Sequence, residues 1–268
     1  MTIYPRIRAR RTAVRRAEGR RRLRFLLGAV ALVTLAVGAW GLTRTPLLDL
    51  DHVRYEGVAG ADTPDVEATA ALEMGTAMFD LDLGGVEREL TALPWVASAS
   101  ATREWPGTVS VVVEQRMAVA VIGTFADPGF LADDEGVLIR PASAESDLPR
   151  VAVAPTVGLG EIQVDALPGI GVAIALPDDL RPWVDAVTVE GSADEPAHLG
   201  LELIGSADVM LGSGDFIDDK LAAVRAVLDR VELTCLDIID VVVADSPVTT
   251  RDAACEAGTA NSAGGGDA

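Results

Sequence analysis

The longest uninterrupted apolar run of the chain, Phe25–Leu42, has 18 residues, none charged, and no polar spacing that would give it a wet face. At about 1.5 Å per residue a helix of that length reaches roughly 27 Å, close to the ~30 Å of a bilayer's hydrocarbon core. The run predicts a transmembrane helix, in which the Thr34 hydroxyl bonds back to its own backbone. After it the periodicity changes. His52–Val58 alternates, with Val53 and Tyr55 on one face, and predicts a strand. Asp62-Thr63-Pro64 reads as a helix start, with a capping side chain and a proline in the first turn, and the helix extends to Leu72. Val86, Leu90 and Leu93 recur at helical spacing over Gly84–Leu93, and Pro94 stops that second helix. Two strands follow. In Trp95–Arg103 the small residues Ala97, Ala99 and Ala101 share one face, and in Thr108–Glu114 Val109, Val111 and Val113 do. Between them Glu104-Trp105-Pro106-Gly107 has the Pro-Gly order of a type II turn. The order β-α-α-β-β predicts one small α+β unit.

Downstream, Ala118–Ile122 reads as a strand and Phe130–Ile139 as a hairpin turning at Asp133–Gly136. From Pro141 to Pro182 the chain is rich in Pro, Gly and Asp, and no element is assigned there. Ala186–Glu190, Leu199–Ile204 and Asp208–Leu211 read as short strands. Asp215–Val231 carries the clearest helical stripe of the body: Ile217, Leu221, Val224, Leu228 and Val231. Asp215, Asp218 and Asp219 suit its N-terminus, and Arg225 and Arg230 its C-terminal half. Leu236–Val243 is a strongly apolar strand, after which the chain turns polar and is expected to be disordered.

Charge gives the pattern a direction. Residues 1–24 hold ten arginines and one glutamate, a net +9, whereas residues 25–268 carry −28. The positive-inside rule puts the arginines in the cytoplasm and the acidic body outside, with Trp40 at headgroup depth. A cleaved signal peptide is the competing reading; it predicts an apolar core of about 7–15 residues, shorter than this one, although Val37-Gly-Ala39 would pass as a cleavage site. The arginine tail suits anionic lipid better than nucleic acid, because only Tyr4 interrupts it with an aromatic ring and it abuts the apolar run. The acidic body disfavours nucleic acid as well.

Chemistry is sparse. Cys235 and Cys255 both lie in the body, where an oxidising compartment permits a disulfide, though two cysteines alone leave the pairing open. Two histidines and no Cys-x-x-Cys speak against a zinc site. The acidic pairs fall in predicted turns, loops or a helix start, and no nucleophile elbow, Ser-x-x-Lys, His-Glu-x-x-His or phosphate loop occurs. No catalytic residue, metal ligand or cofactor site is assigned.

Four stretches resemble the FtsQ family of bacterial cell-division proteins, also called DivIB: Val53-Arg-Tyr-Glu-Gly57; Leu93-Pro-Trp-Val-Ala-Ser-Ala99 leading to Arg103-Glu-Trp-Pro106; Ala132-Asp-Asp-Glu-Gly-Val-Leu-Ile139; and Val209-Met-Leu-Gly212 with Asp219-Lys-Leu221 and Ile239-Asp-Val241. Two departures stand out. Glu114-Gln-Arg-Met117 replaces the family's Glu-Arg-x-Pro, and Asp240-Val-Val242 replaces Asp-Val-Arg. The resemblance implies a basic cytoplasmic tail (1–24), a transmembrane helix (25–42), a linker (43–50), a POTRA-like domain (51–117), a mostly β domain with a C-terminal helix and final strand (118–245), and a polar tail (246–268). It further implies a non-enzymatic, single-pass type II protein of the division septum. Its partners would be FtsB-like and FtsL-like bitopic proteins and the septal peptidoglycan synthase complex. A membrane-tethered sensor outside division and an extracytoplasmic hydrolase are the alternatives. The final apolar strand is expected at a sheet edge, where a partner strand could add. The expected contact residues are Ile238, Ile239, Asp240, Val241, Val242 and Val243, with Lys220 and Arg225 on the flanking helix.

Overall fold

The strands among the described residues pair into two sheets, a small one of three strands and a large one of nine. The structure, a computed structural model, describes residues 24–38, 40–41, 48–60, 62–143, 145–191, 197–205, 207–231, 235–253 and 255. The arginine tail, most of the linker and residues 256–268 lie outside them, as do two residues of the expected span, Ala39 and Leu42. Residues 24–38 form helix α1, exposed throughout, and residues 40 and 41 are helical. Thr34 Oγ1 donates to the carbonyl of Val30 at 2.9 Å. Among the described residues no helix is long and apolar enough to cross a membrane.

The chain divides into two units, one comprising residues up to Arg88 with Ser100–Val112, the other Glu89–Ala99 with everything from Val113 onward. Strand β1 (His52–Glu56) is followed by α2 (Thr63–Ala70), α3 (Leu83–Thr91), β2 (Val96–Glu104) and β3 (Thr108–Gln115). The sheet order is β1-β3-β2, with β1 and β3 parallel. Val109, Val111 and Val113 are all buried, as the alternation predicted. Asp62 takes the N-cap position of α2 but makes no side-chain cap bond, and Pro64 occupies the first turn. The expected type II turn is corrected: the Trp105–Pro106 peptide is cis, and Gly107 does not adopt the positive φ that such a turn requires. Gly107 is needed for a different reason, since a Cβ there would sit 2.6 Å from the carbonyl oxygen of Asp49.

In the second unit the order along the large sheet is β12-β11-β10-β9-β8-β7-β4-β5-β6. Its strands are β4 (Ala120–Ile122), β5 (Phe130–Ala132), β6 (Leu138–Pro141), β7 (Arg150–Val151), β8 (Val184–Glu190), β9 (His198–Leu203), β10 (Asp208–Gly212), β11 (Leu236–Asp240) and β12 (Val248–Arg251). The segment without assigned elements contains helix α4 (Leu167–Ala175), which packs on β7 and β8. Its sequence hides it. Pro168, Gly169 and Gly171 read as breakers, and apolar residues surround the axis so that no single stripe stands out. Pro168 lies in the first turn, where it lacks no needed donor. Gly169 lets the helix come close: a Cβ there would lie 2.6 Å from Val151 Cγ1 and 2.7 Å from Val189 Cγ2.

Helix α5 (Ile217–Leu228) starts after the expected Asp215, with Phe216 at its N-cap in a left-handed conformation (φ 54°), and ends before Val231, the last residue of its apolar stripe. Leu221 and Val224 are fully buried, Ile217, Leu228 and Val231 only partly. α5 carries the chain from β10 to β11, two parallel strands, and only Leu236 and Ile239 of β11 are buried.

Candidate partner-binding edge

β11 is not the edge of its sheet. Val248–Arg251, which the hydropathy pattern left in a disordered tail, forms β12 and pairs antiparallel with β11, Ile238 opposite Thr250, Ile239 opposite Thr249 and Asp240 opposite Val248. The expectation of a terminal β11 is thereby corrected, and that of an unstructured tail is corrected for Val248–Arg251; residues 256–268 lie outside the described residues. The reason is local. Val-Thr-Thr is β-branched and suits a strand despite its polarity, and it needs no buried face when it pairs at a rim. All four residues of β12 are exposed. A disulfide between Cys235 and Cys255, Cα atoms 5.5 Å apart, brackets the β11–β12 hairpin at its open end.

The register sorts the expected contact residues. Val187, Leu201, Val209, Ile239 and Thr249 form one row across the sheet. The first four of these are buried against the helices, so Ile239 is a core residue, as is Val241 beyond the strand's end. The neighbouring rows, Thr188–Gly200–Met210–Asp240–Val248 and Ala186–Glu202–Asp208–Ile238–Thr250, face the other way. Ile238 and Asp240 are half-buried there, and Val242 and Val243 are exposed. On α5, Lys220 is only 3 % exposed, and its Nζ donates to the carbonyl of Ser213 at 2.7 Å. It closes the loop ahead of its own helix, which removes it from the expected contact surface. Arg225 stays accessible and is paired with Asp179.

The backbone of β12 has an outward side. Asp252 N–H donates to the carbonyl of Cys235 at 2.9 Å, so alternation along the strand turns the N–H of Thr249 away from β11. Over β8–β11 the open face carries a groove of about 300 Å³ whose lining includes Thr188, Gly200, Met210, Ile238 and Val242 together with His198, Glu190 and Asp208. Gly200 keeps its floor flat, since a Cβ would lie 2.6 Å from Thr188 Oγ1 and 2.9 Å from the carbonyl of Val209. The groove is apolar in the middle, carboxylate-rich at the margin, and has no lysine or arginine in its lining. Such a surface suits binding an extended or helical apolar segment; it offers no nucleophile held by a base. Among the described residues no group of three His, Cys, Asp or Glu side chains could hold a metal ion.

The acidic hairpin turn has a structural use. Asp133 Oδ2 accepts from Arg116 at 2.6 Å while Oδ1 accepts the N–H groups of Glu135 and Val137. Burial works against the Arg116 cation, but the hydrogen bonds and charges of Asp133 and then Glu135 outweigh it and raise its pKa above the ordinary value. The sequence reading missed β12 and the groove. The usable signal was the β-branched run Val248-Thr-Thr250 held between two cysteines.

Comparison with known proteins bears on this arrangement. A family model described as "POTRA domain, FtsQ-type" matches residues 49–116. "Cell division protein FtsQ" of Mycolicibacterium smegmatis is 28 % identical over 212 residues, 78 % of this chain and 61 % of that protein. The protein of the same name from Myxococcus fulvus is 29 % identical over 216 residues, covering 75 % of this chain and 72 % of its own length. That of Rhodothermus marinus is 35 % identical over 114 residues, 42 % of this chain and 41 % of that protein. The chain thus spans less than two thirds of the mycobacterial relative.

Proposed function

We propose that this chain, which belongs to the FtsQ family of cell-division proteins and carries its POTRA domain at residues 49–116, is a non-enzymatic scaffold that holds bitopic partners at the division septum. One observation carries the reading: among the described residues the large sheet ends in an exposed strand, β12, which has outward backbone groups and lies one strand beyond β11, where Ile238 helps line a groove on the open face. An edge strand presents unpaired N–H and C=O groups in register, and a partner strand that adds to it gains main-chain hydrogen bonds plus a pocket for alternate side chains. The partners are FtsB-like and FtsL-like proteins, and through them the septal peptidoglycan synthase complex. Their strand adds to β12. Val242 and Ile238 contribute side chains on the open face, and Arg225 flanks the site only through its exposed guanidinium.

The anchor belongs to the same proposal. Residues 25–42 span the plasma membrane once, with the arginine-rich tail on anionic lipid in the cytoplasm and the acidic body outside. Uncharged length, the charge step and Trp40 near the outer end support this topology. The body is laid out as a POTRA domain over 51–117 and a β domain from 118 that runs through β12 rather than ending before it. A fluorescent fusion of the full chain is expected to gather at the septum of dividing cells. Uniform membrane fluorescence in cells with intact septa would sink the divisome assignment.

A further inference from the structure

Two large aromatic residues of the first unit remain half in solvent. Phe79 is 55 % exposed and Trp105 is 50 % exposed, and their ring centroids lie 4.8 Å apart. Together they expose a paired apolar surface that the small sheet does not use. The pair is held firmly. Arg103, next but one to Trp105, donates through Nε to the carbonyl of Met78 at 2.8 Å and through its other end to Leu81, so the loop bearing Phe79 is clamped to the hairpin bearing Trp105.

Its place in the chain is informative. Met78 N–H donates to the carbonyl of Leu48 at 2.9 Å, and Asp51 and His52 donate to the carbonyl of Gly107 at 2.8 and 3.1 Å. Both aromatic segments are therefore tied to the first body residues that follow the apolar run. Between Gly41 and Leu48 only residues 42–47 intervene. Seven peptide steps reach at most about 25 Å when fully extended. Leu48 is thus tethered within that distance of the outer end of the apolar run, and the ring pair follows one hydrogen bond beyond it.

We infer that Phe79 and Trp105 form a membrane-contact patch that rests in the headgroup region of the outer leaflet and fixes the height of the first unit above the bilayer. This rests on the membrane-anchoring reading of residues 25–42. Aromatic side chains with one apolar and one polar side are favoured at that depth, and tryptophan most of all. Charge selects the kind of surface. Asp49 and Asp80 adjoin the two rings in sequence or in the tied segment, and Glu104 is paired with Arg54 at 3.2 Å, so the patch has no excess of basic charge to draw it to anionic lipid and zwitterionic headgroups fit.

The test uses the full-length chain with Trp40→Phe, Trp95→Phe and Trp183→Phe, which leaves Trp105 as the reporter. It is reconstituted into phosphatidylcholine vesicles whose acyl chains are brominated near the headgroup. Emission is expected to fall to about half or less of its value in unbrominated vesicles, as for an indole at the interface. Unchanged emission from protein that floats with the vesicles after an alkaline wash would overturn the patch while leaving the anchor intact. Failure to float would overturn the anchor, and the patch with it. A second measurement avoids the burden of three substitutions. The wild-type chain labelled with fluorotryptophan, with the Trp105 resonance assigned through Trp105→Phe, is placed in vesicles containing a headgroup spin label. Broadening of that resonance supports the contact, and a sharp resonance overturns it.

Discussion

Arg116 and Asp133 show how one buried carboxylate can fix a turn. Asp133, in the hairpin between β5 and β6, receives a guanidinium and two backbone N–H groups. Its side chain is only 5 % exposed, so removing the cation leaves a buried charge with backbone N–H groups alone to offset it. Arg116→Ala is expected to cost about 3 kcal/mol, read as a lower urea midpoint with an unchanged slope. The equally plain ion pair of Arg225 with Asp179 is 44 % and 57 % exposed, and its loss should cost well under about 1 kcal/mol. The alternation of Val109, Val111 and Val113 made their burial legible in the sequence, because one period decided one face. Lys220 was not legible. A lysine between Asp219 and Leu221 reads as solvated, and only the carbonyl of Ser213, brought close by the turn into α5, explains its burial.

At the scale of elements, α4 and β12 were both hidden by composition. α4 depends on the absence of a side chain at Gly169, where the helix meets Val151 and Val189. Gly169→Ala is therefore expected to destabilise the body by about 1–3 kcal/mol by overpacking, although alanine is the better helix former. A lowered melting temperature by calorimetry checks this, and a raised one would show that the contact yields. β12 buries no side chain, so its pairing rests on ladder bonds and on the Cys235–Cys255 bridge, whose partners are 20 residues apart. Cys235→Ser with Cys255→Ser is expected to cost about 3 kcal/mol by loop closure. Hydrogen exchange should quicken first in residues 248–252, ahead of the rest of the sheet. The strand was missed because a rim strand needs no apolar face, and hydropathy registers only faces.

For the whole molecule, the ordering of charge, apolar run, small unit and large sheet is what the proposed binding platform on a tether rests on. The small unit was readable because its helices and strands change period abruptly at Pro94 and Gly107. The large sheet was readable strand by strand, but its order was not, since the parallel β10–α5–β11 connection and the added β12 decide which strand faces solvent. That order moves the proposed partner site from β11 to β12. The most direct measurement is the affinity of the full-length protein, in detergent or nanodiscs, for its own organism's purified FtsB-like partner, comparing wild type with Thr249→Pro. The substitution removes an N–H that points away from β11, so the melting temperature should hold while binding weakens about tenfold or more. Unaltered affinity with an intact fold would contradict strand addition at β12.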